Sequence, residues 1–281
     1  MTLEVLMSCM HQSDDTLVRR SGLTGEVLII NQCDREGYGE FATPSGLARM
    51  FSTTQRGLTK SRNMAIAKAR ADICLVCDDD ETFVPGYEEA ILKTYEEHKQ
   101  ADVIIFKMVN RPPSFAQKAM RLRFPQTMKV SSWQISFRRE SLLRSGVRFD
   151  ELLGAGTGNG AEEELKFLLD CQRAGLVIWY VPVEIASVAQ TESTWFDGYG
   201  ETFFENRGAT TRYILGPVLS CAYALYYIVR KRHLYRQTIS PGKALKATFR
   251  GIRKTRSGSR QSCAKNRSMP NEGSHICGSG L

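Results

Sequence analysis

The amino-acid sequence predicts an α/β fold built on a mostly parallel, doubly wound sheet flanked by helices. Strand-like apolar runs alternate with helical patterns through the first part of the chain, which is typical of βαβ units. The segments at residues 26–31 and 72–77 contain uninterrupted apolar stretches, and these indicate strands buried on both faces of a parallel sheet. Four acids follow the second segment at residues 78–81, where an open sheet of this kind binds its ligands.

The first predicted elements are strands at residues 3–8 and 26–31, and glycines at positions 37 and 39 then break the chain. A loop that begins at Gly57 enters a helix reaching residue 71. Ser61 can cap this helix, because a hydroxyl at the first position accepts a bond from the free backbone N–H groups. Apolar side chains on one face would pack the helix against the sheet.

The later elements are predicted with the same reasoning. Pro85 opens a helix after the acidic strand, because proline is favoured at the start of a helix. The second half is less regular than the first. The further predicted strands are residues 102–106, 133–137 and 177–181, and the further helices are residues 85–98, 140–145 and 162–174.

Composition and charge narrow the class of protein. Apolar residues make up 42% and charged residues 24% of the 281 residues, which fits a soluble globular protein with a sizeable core. The net charge of +8 is unevenly distributed, because residues 211–281 hold 14 Lys or Arg and one acid, whereas residues 1–210 hold 24 Lys or Arg and 29 acids. A basic segment of this kind typically binds phosphates, either of nucleic acid or of an anionic membrane. The chain has no basic strand with interleaved aromatic residues and no recognition-helix pattern, so we expect no nucleic acid as a partner.

The eight cysteines are scattered, and Cys74 and Cys77 form the single pair at CxxC spacing. Residues three apart on a strand point to opposite faces, so this pair cannot chelate one ion. We expect both to be small buried apolar residues. The opening residues, Met1 to Glu4, lack the basic and apolar regions of a secretory signal. The expected location is therefore the cytoplasm, where thiols stay reduced.

A charge-free segment at residues 213–229 precedes the basic run Arg230, Lys231, Arg232. As a helix it would be roughly 25 Å long at 1.5 Å per residue, a little short of a bilayer span. We expect it to lie on, or dip into, the inner membrane leaflet. The alternative is a core helix that closes the first domain. The tail from residue 253 has no apolar period and is expected to be disordered.

The acids at residues 78–81 are the first candidate site. Adjacent carboxylates repel one another, so the cluster costs free energy unless a cation or hydrogen-bond donors compensate. Two carboxylates with substrate phosphates suit Mg²⁺ or Mn²⁺. The alternative is a solvated turn or helix cap before Pro85.

Two other segments carry related chemistry. Residues 57–63 place a glycine, a hydroxyl and Arg62 at a helix start, which can cradle a diphosphate. Residues 162–164 are three glutamates at another helix start, where the helix dipole alone would favour them. Two separate acid centres match a division of labour in which one binds metal and diphosphate and the other removes a proton from a hydroxyl.

In this order, the motifs resemble family 2 glycosyltransferases with the GT-A fold, of the bacterial capsule and exopolysaccharide type. The resemblance begins with residues 57–63 and the strand ending in Asp78, Asp79 and Asp80. It continues through residues 132–139, 149–151 and the glycine run ending at Glu162 and Glu163, and it ends with the stretch containing Trp195. The motifs that carry it are Gly57-Leu58, Ser61-Arg62-Asn63, Cys77-Asp78-Asp79-Asp80, Ser132-Trp133-Gln134-Ile135-Ser136-Phe137-Arg138-Arg139, Phe149-Asp150-Glu151, Gly160-Ala161-Glu162-Glu163 and Ser193-Thr194-Trp195-Phe196.

The resemblance implies a domain organisation. The motifs cover roughly residues 3–210, so the implied GT-A catalytic domain is 1–210. An apolar and basic helical segment at 211–252, associated with the membrane, would follow. The tail would be 253–281.

The resemblance also implies roles for individual residues. Asp80 would contact Mn²⁺ or Mg²⁺, and Asp78 the ribose or the metal. Arg62 matches a basic residue near the nucleotide, and Asn63 and Asp79 lie in the same donor-binding motifs. Glu162 and Glu163 match the family's acid pair, in which the second acid is the general base. Trp195 would line the acceptor or diphosphate side, and a core position is its alternative.

Two departures from the family pattern matter. Many relatives end the second strand with paired acids that hold the nucleobase, whereas this chain has Asn31-Gln32-Cys33-Asp34. Gln32 and Asp34 are therefore the candidates for contact with the base, whose identity stays open. The base position carries Glu163 where aspartate is more usual, and the extra methylene changes its reach.

The function implied is inverting transfer of a sugar from a nucleotide-sugar donor to a hydroxyl. The acceptor would be a growing surface polysaccharide or a lipid-linked saccharide, at the cytoplasmic face of the membrane beside polysaccharide assembly proteins. One alternative is a nucleotidyltransferase that makes sugar nucleotides, although the loop after the first strand lacks its glycine-rich, basic pattern. The other is a non-catalytic partner of a polysaccharide assembly complex.

Overall fold

The computed structural model divides the chain into two compact units, Met1–Phe196 and Asp197–Leu281. Each unit is described by itself. The residues that the structure describes are 1–112, 114–155, 157, 162–189 and 198–254.

The first unit is a mixed sheet with helices on both faces. Its described strands are β1 (Leu3–Met10), β2 (Glu26–Gln32), β3 (Gly37–Ala42), β4 (Leu47–Thr53), β5 (Ile73–Asp78), β6 (Glu81–Phe83), β7 (Val103–Met108), β8 (Met120–Arg121), β9 (Ile135–Arg138) and β10 (Ile178–Val188). Its described helices are α1 (Thr16–Arg20), α2 (Leu58–Lys68), α3 (Tyr87–Glu97), α4 (Arg139–Ser145) and α5 (Glu163–Arg173).

The centre of the sheet is a parallel block in the order β4, β2, β1, β5. Strands β1, β2 and β5 of this block are buried on both faces, as their apolar sequences predict. Cys77 of β5 lies in the core beneath α1 and α3, and Cys74 lies in the core beneath α2, α4 and α5. The two cysteines are free and buried on opposite faces, as predicted.

The rest of the sheet is antiparallel in part. Strand β9 lies between β5 and β7 and runs antiparallel to both. Strand β10 is parallel to β7 but antiparallel to β6 and β8. The predicted fold class is confirmed, and the sheet is a mixed one in which β9 is inserted between the parallel block and β7.

Strands β3 and β4 were not predicted from the sequence. They form an antiparallel ribbon at the edge of the sheet. Glycines at positions 37 and 39 are unusual in a strand, and Arg49 is a charge in the middle of β4. Arg49 is nevertheless buried, because its guanidinium lies 2.5 Å from the Glu4 carboxylate of β1. A long-range ion pair of this kind leaves no local signal.

Helix α2 begins earlier than predicted. Gly57 precedes its first residue in a left-handed conformation, with φ at 125°, a backbone that glycine adopts readily. Ser61 therefore lies inside the helix and does not cap it. Its hydroxyl instead lies 2.8 Å from that of Ser8 in β1, which ties the helix start to the end of a central strand.

The second unit contains α6 (Glu201–Arg230), α7 (Arg232–Tyr235) and α8 (Pro241–Lys254). Residues 213–229 do not form a helix of their own, because they belong to α6. That helix is interrupted at Gly216, where φ is 78°, and Pro217 starts its second half. The predicted boundary at residue 210 falls inside α6, whereas the compact units divide after Phe196.

Helices α6 and α8 cross at very short distance. A Cβ atom on Gly208 would lie 2.1 Å from the Thr248 carbonyl oxygen, and one on Gly251 would lie 1.9 Å from the Glu205 carbonyl oxygen. Both positions therefore require glycine. The core of this unit consists of apolar and aromatic side chains, namely Phe204, Tyr227, Ile228, Tyr235, Ile239, Ala244 and Ala247.

Candidate active site

The acidic triplet lies at the carboxyl end of β5, as predicted. Asp78 is the last residue of the strand, Asp79 and Asp80 form a turn, and Glu81 begins β6. In the register of the sheet, Asp78 lies opposite Ser8 of β1. The side chains of α2 and α5 converge on the same edge, so three segments distant in sequence form one charged cluster.

Arg62 is the centre of this cluster. Its guanidinium is only 2% exposed. Nη2 donates to both carboxylate oxygens of Asp78, at 2.8 and 3.2 Å, and Nη1 lies 3.3 Å from Oε1 of Glu163. The buried arginine thus joins the acid of the triplet to the acid of α5.

The Asp78 carboxylate is held by more than the arginine. Ser132 donates its hydroxyl to Oδ2 at 3.0 Å. Oδ1 of Asp78 is therefore bound by Arg62 of α2, and Oδ2 is bound by Arg62 and by Ser132 of the turn before β9. This engagement favours a role in organising the cluster, and the predicted contacts of Asp78 with ribose or metal remain predictions.

Asp80 has a different environment. Its Oδ2 atom is buried and has no hydrogen-bond partner in the described part of the chain. Burial and the neighbouring charge of Asp78 raise the pKa of Asp80 above its ordinary value. A hard cation would compensate this carboxylate, so Asp80 fits the predicted metal ligand better than Asp78 does.

The described residues form no ready-made metal cage. Among them, no three His, Cys, Asp or Glu side chains group as ligands of one ion. Mg²⁺ and Mn²⁺ commonly bind to one or two carboxylates and take their other ligands from phosphates and water. The donor set at Asp80 is compatible with that mode, in which the substrate completes the coordination.

Glu81 is a further part of the cluster to which the sequence assigned no role. It is 2% exposed, and its Oε1 accepts a hydrogen bond from the Asp78 backbone N–H at 2.7 Å. Burial, with the charge of Asp78, raises the pKa of Glu81 well above its ordinary value. The Glu81 carboxyl therefore holds together the turn that contains Asp79 and Asp80.

The three glutamates of the second acid centre lie in distinct positions. Glu162 precedes α5 with a left-handed backbone, φ 74°, and Glu163 is the first residue of the helix. Glu163 is buried, and burial raises its pKa while the Arg62 guanidinium opposes that rise. Burial and the charge of Glu163 raise the pKa of Glu164 to about 8.

Gly154 lies beneath Glu163. A Cβ atom at position 154 would lie 3.1 Å from the Thr59 methyl and 3.5 Å from the Glu163 carboxyl carbon. Its φ of 92° also favours glycine. The Thr59 hydroxyl donates to the Leu153 carbonyl at 3.1 Å, so α2 and the loop before α5 are packed tightly together beside the acids.

The other predicted donor residues divide into structural and exposed groups. Asn63 uses its amide to bond the backbone of Phe149 in both directions at 2.9 Å. The side-chain amide oxygen of Gln32 accepts a hydrogen bond from the Gly57 backbone N–H at 2.7 Å, which fixes the entry to α2. Asp34 and Asp79 are exposed, and Asp34 pairs with Arg56. Their contact with the donor remains a prediction for all four.

Some predicted features cannot be placed. Trp195 and the glycines at positions 156, 158 and 160 lie outside the described residues. Two residues beside the acidic triplet were not singled out from the sequence, Ser132 next to Asp78 and Arg111 near Asp80. Ser132 belongs to a stretch whose order resembled the family, and that stretch was the available signal. Arg111 lies close enough for its charge to lower the pKa of Asp80, and nothing local in the sequence indicated it.

The family is decided by a sequence comparison. Residues 3–151, more than half of the 281 residues, match the family described as "Glycosyl transferase family 2". The chain belongs to this family. It is a nucleotide-sugar glycosyltransferase, and the site described above is its candidate active site. The acids of α5 lie beyond the matched segment. No match was found among curated proteins.

Solved structures show the same fold. Three crystal structures of S. aureus TarS 1-349 are similar to this chain at 14% or 15% identity, each over 96% of this chain and 76% of its own. Their TM-scores are 0.50 for TarS 1-349, 0.53 for its complex with UDP-GlcNAc and 0.51 for its complex with UDP. The similarity confirms the predicted GT-A fold class.

Proposed function

We propose that this family 2 glycosyltransferase moves a sugar from a nucleoside diphosphate to an acceptor hydroxyl with inversion, and that Glu163 is its general base. The observation that carries the proposal is the Arg62 bridge, which brings Glu163 and Asp78 into one buried cluster. An acid from α5 thereby lies next to the strand end at which sheets of this class bind nucleotides.

The donor is proposed to carry uridine diphosphate. Two of the structures with the same fold are complexes of TarS with UDP-GlcNAc and with UDP. In this chain, Gln32 and Asp34 lie at the end of β2 and after it, in the same sheet edge as Asp78. They are the proposed contacts of the base, and Asp79 lies on the diphosphate side.

A divalent cation, Mn²⁺ or Mg²⁺, is proposed to bind at Asp80. The buried oxygen without a partner and the raised pKa of this carboxyl support the proposal. The cation would supply positive charge against the diphosphate leaving group. Asp78 is a second proposed ligand, although its two oxygens are already engaged by Arg62 and Ser132.

Glu163 performs the proton transfer in this mechanism. The acceptor hydroxyl loses its proton to the Glu163 carboxylate and attacks the anomeric carbon from the face opposite the diphosphate. The new carbon–oxygen bond forms as the bond to the diphosphate breaks, which inverts the configuration. Glu163 must be ionised for this step, and Arg62 stabilises its ionised form through a charge-assisted hydrogen bond. Glu162 is proposed to support the base from the adjacent position.

The acceptor is proposed to be a growing surface polysaccharide or a lipid-linked saccharide, with Trp195 on the acceptor side. The reaction is proposed to take place at the cytoplasmic face of the membrane, with polysaccharide assembly proteins as partners. The basic second unit supports this location, because positive charge favours an anionic membrane surface. Family membership favours a transferase over the nucleotidyltransferase alternative.

A donor screen tests the proposed activity. The purified chain is incubated with a panel of UDP-, GDP- and dTDP-sugars, with and without Mn²⁺, and the release of nucleoside diphosphate is measured. We expect release from one UDP-sugar and a large increase with Mn²⁺. Release from another nucleotide class would contradict the proposed donor. A second incubation supplies a sugar 1-phosphate and a nucleoside triphosphate, and formation of sugar nucleotide with release of pyrophosphate there would favour the nucleotidyltransferase. No turnover in either incubation, with any donor and acceptor, would favour the non-catalytic partner.

A further inference from the structure

The second half of α6, from Pro217 to Arg230, exposes an unusual surface. The side chains that point inward are spaced as one helix face and include Ser220, Ala224, Tyr227 and Ile228, all of them buried. The opposite side carries no charge before Arg230. This outer apolar face consists of Val218, Leu219, Ala222, Leu225, Tyr226 and Val229.

The exposed fractions of this outer apolar face are large. Val218 and Val229 are each 77% exposed, and Leu225 and Tyr226 are 51% and 55% exposed. Helices of soluble proteins usually place polar residues on their outer side. Contiguous apolar exposure of this kind marks a surface that contacts a protein or a membrane.

Helix α8 of the same unit supplies the contrast. Its inward residues are buried, including Ala244, Ala247 and Ile252, and its outward side is strongly basic. Two of its cations, Arg250 and Lys254, pair with the single acid Glu205 near the start of α6. An ordinary solvated face is therefore present in this unit, and the apolar face of α6 is a departure from it.

A set of cations lies directly at the end of the outer apolar face. Arg230, Lys231, Arg232 and Arg236 follow one another at the turn into α7. None of these four makes an ion pair within the part of the chain that the structure describes. Apolar side chains bordered by unpaired cations match the two layers of an anionic bilayer surface, acyl chains below and phosphates above.

Helix length decides between spanning the bilayer and lying on it. By length and composition alone, α6 is a candidate membrane span. However, Gly216 and Pro217 interrupt it, and its first half carries Arg207 and Arg212. The apolar second half is roughly 20 Å long at 1.5 Å per residue, whereas the hydrocarbon core is about 30 Å thick. The geometry favours a helix that lies in the interface.

We propose that the outer apolar face of α6 docks on an anionic lipid bilayer, with its valine, leucine and tyrosine side chains among the acyl chains and the cations at 230–236 on the headgroup phosphates. The docking rests on the proposed membrane location but not on the proposed chemistry. A loss of vesicle binding therefore leaves donor turnover intact, and the two proposals fail separately.

Vesicle co-sedimentation of the full chain tests the docking. The vesicles are phosphatidylcholine alone and phosphatidylcholine mixed with phosphatidylglycerol. We expect binding to the mixed vesicles to be on the order of tenfold stronger than to neutral ones, and to weaken with salt. Equal binding to both vesicle types, or no binding to either, would overturn the proposal.

Matched variants locate the surface. Leu225→Glu with Val229→Glu should lower binding to the mixed vesicles by roughly tenfold or more, because two exposed apolar side chains that would lie among the acyl chains are replaced by charges. Leu143→Glu is the control, since Leu143 is 47% exposed in α4 of the first unit. An equal loss in the control, or none in the double variant, would contradict the assignment. Val229→Glu alone serves if the double variant fails to fold.

A second copy of the chain is the alternative partner for the outer apolar face of α6. Sedimentation velocity of the wild type and the same variants, without vesicles, tests whether the face binds another copy instead of lipid. If the wild type is a dimer that Val229→Glu converts to a monomer, and vesicles bind neither form, the face is an interface between copies and the bilayer proposal is wrong. Nucleoside diphosphate release by each variant in solution verifies that the first unit remains folded.

Discussion

The acid cluster of the first unit and the outer apolar face of α6 both depart from the usual distribution of side chains, in opposite directions. In the first, one carboxylate oxygen of the half-buried Asp80 and one of the buried Glu81 are inaccessible to solvent and lack a hydrogen-bond partner in the described residues. In the second, Val218 and Val229 are largely exposed. Each departure costs free energy or solubility.

The kind of side chain that is unusually placed, a buried acid or an exposed apolar residue, indicates the chemistry of the binding partner. Buried negative charge favours a cation and the diphosphate that it accompanies. Exposed apolar surface beside unpaired cations favours a lipid surface. The ordinary parts of each unit, such as the paired Arg49 and Glu4 or the solvated side of α8, give no such indication.

The largest expected effect on stability comes from removing the buried cation. Arg62→Met leaves Asp78 and Glu163 without their partner, and breaking a buried pair in this way costs about 3–5 kcal/mol of unfolding free energy. Urea denaturation measures the loss. Arg49→Met is the matched control, because it breaks a buried pair of the same kind away from the acid cluster. Arg49→Met should lower the free energy of unfolding by a similar amount while leaving donor affinity unchanged. If both variants lost donor affinity equally, Arg62 would have no special role in the acid cluster.

The next effect concerns the helix crossing in the second unit. Gly251→Ala places a methyl group against the Glu205 carbonyl, so we expect a loss of about 1–3 kcal/mol. Gly242→Ala is the control, since nothing lies within 4 Å of its added Cβ. Thermal unfolding of both variants compares them. A Gly251→Ala variant as stable as the control would show that the helices do not cross this closely.

Asp80→Asn tests the cation site. We expect the Mn²⁺ concentration for half-maximal donor turnover to rise on the order of tenfold, because a hard anionic ligand is lost. Binding stabilises the folded state, so the combined effect of Mn²⁺ and UDP on the unfolding temperature should also shrink. Asp15→Asn, at a surface pair with Arg19, is the control. Unchanged Mn²⁺ dependence in Asp80→Asn would place the cation elsewhere or show that none is used.

The smallest effect is a pH dependence of stability from Glu164. Its pKa of about 8 in the folded chain exceeds the ordinary value of 4.5, so the folded state binds the proton more tightly than the unfolded state. The contribution is therefore complete below pH 4.5 and is lost as pH rises toward 8. Urea unfolding at pH 5 and pH 8 measures the difference, and Glu164→Gln should reduce it. An unchanged pH difference in the variant would contradict the raised pKa.

Much of the first unit followed from local patterns. Apolar runs predicted the buried strands β1, β2 and β5, and the acids after β5 fell at the edge where the site lies. Strands β3 and β4 were missed because their stability depends on pairing with each other and on the Arg49 contact with Glu4. Such contacts join residues far apart in sequence.

The sequence indicated Arg62, Asp78 and Glu163 as candidate site residues, but it did not indicate the contacts that join them. The structure shows that the arginine is buried between the two acids. Its place near the diphosphate remains a prediction. Burial depends on the packing of α2 against α5 and β5, so no local pattern reveals it. The hydrogen bond by which Glu81 holds the turn at Asp79 and Asp80 could not be predicted from the sequence for the same reason.

Glu163→Gln is the direct test of the proposed general base, and it is compared with the wild type in two assays, acceptor-dependent turnover and donor binding. We expect turnover to fall by about 10²–10⁴-fold while donor affinity changes little. Glu96→Gln, on the exposed side of α3, should match the wild type in both. Normal turnover by Glu163→Gln, with the variant folded and donor bound, would show that Glu163 is not the base.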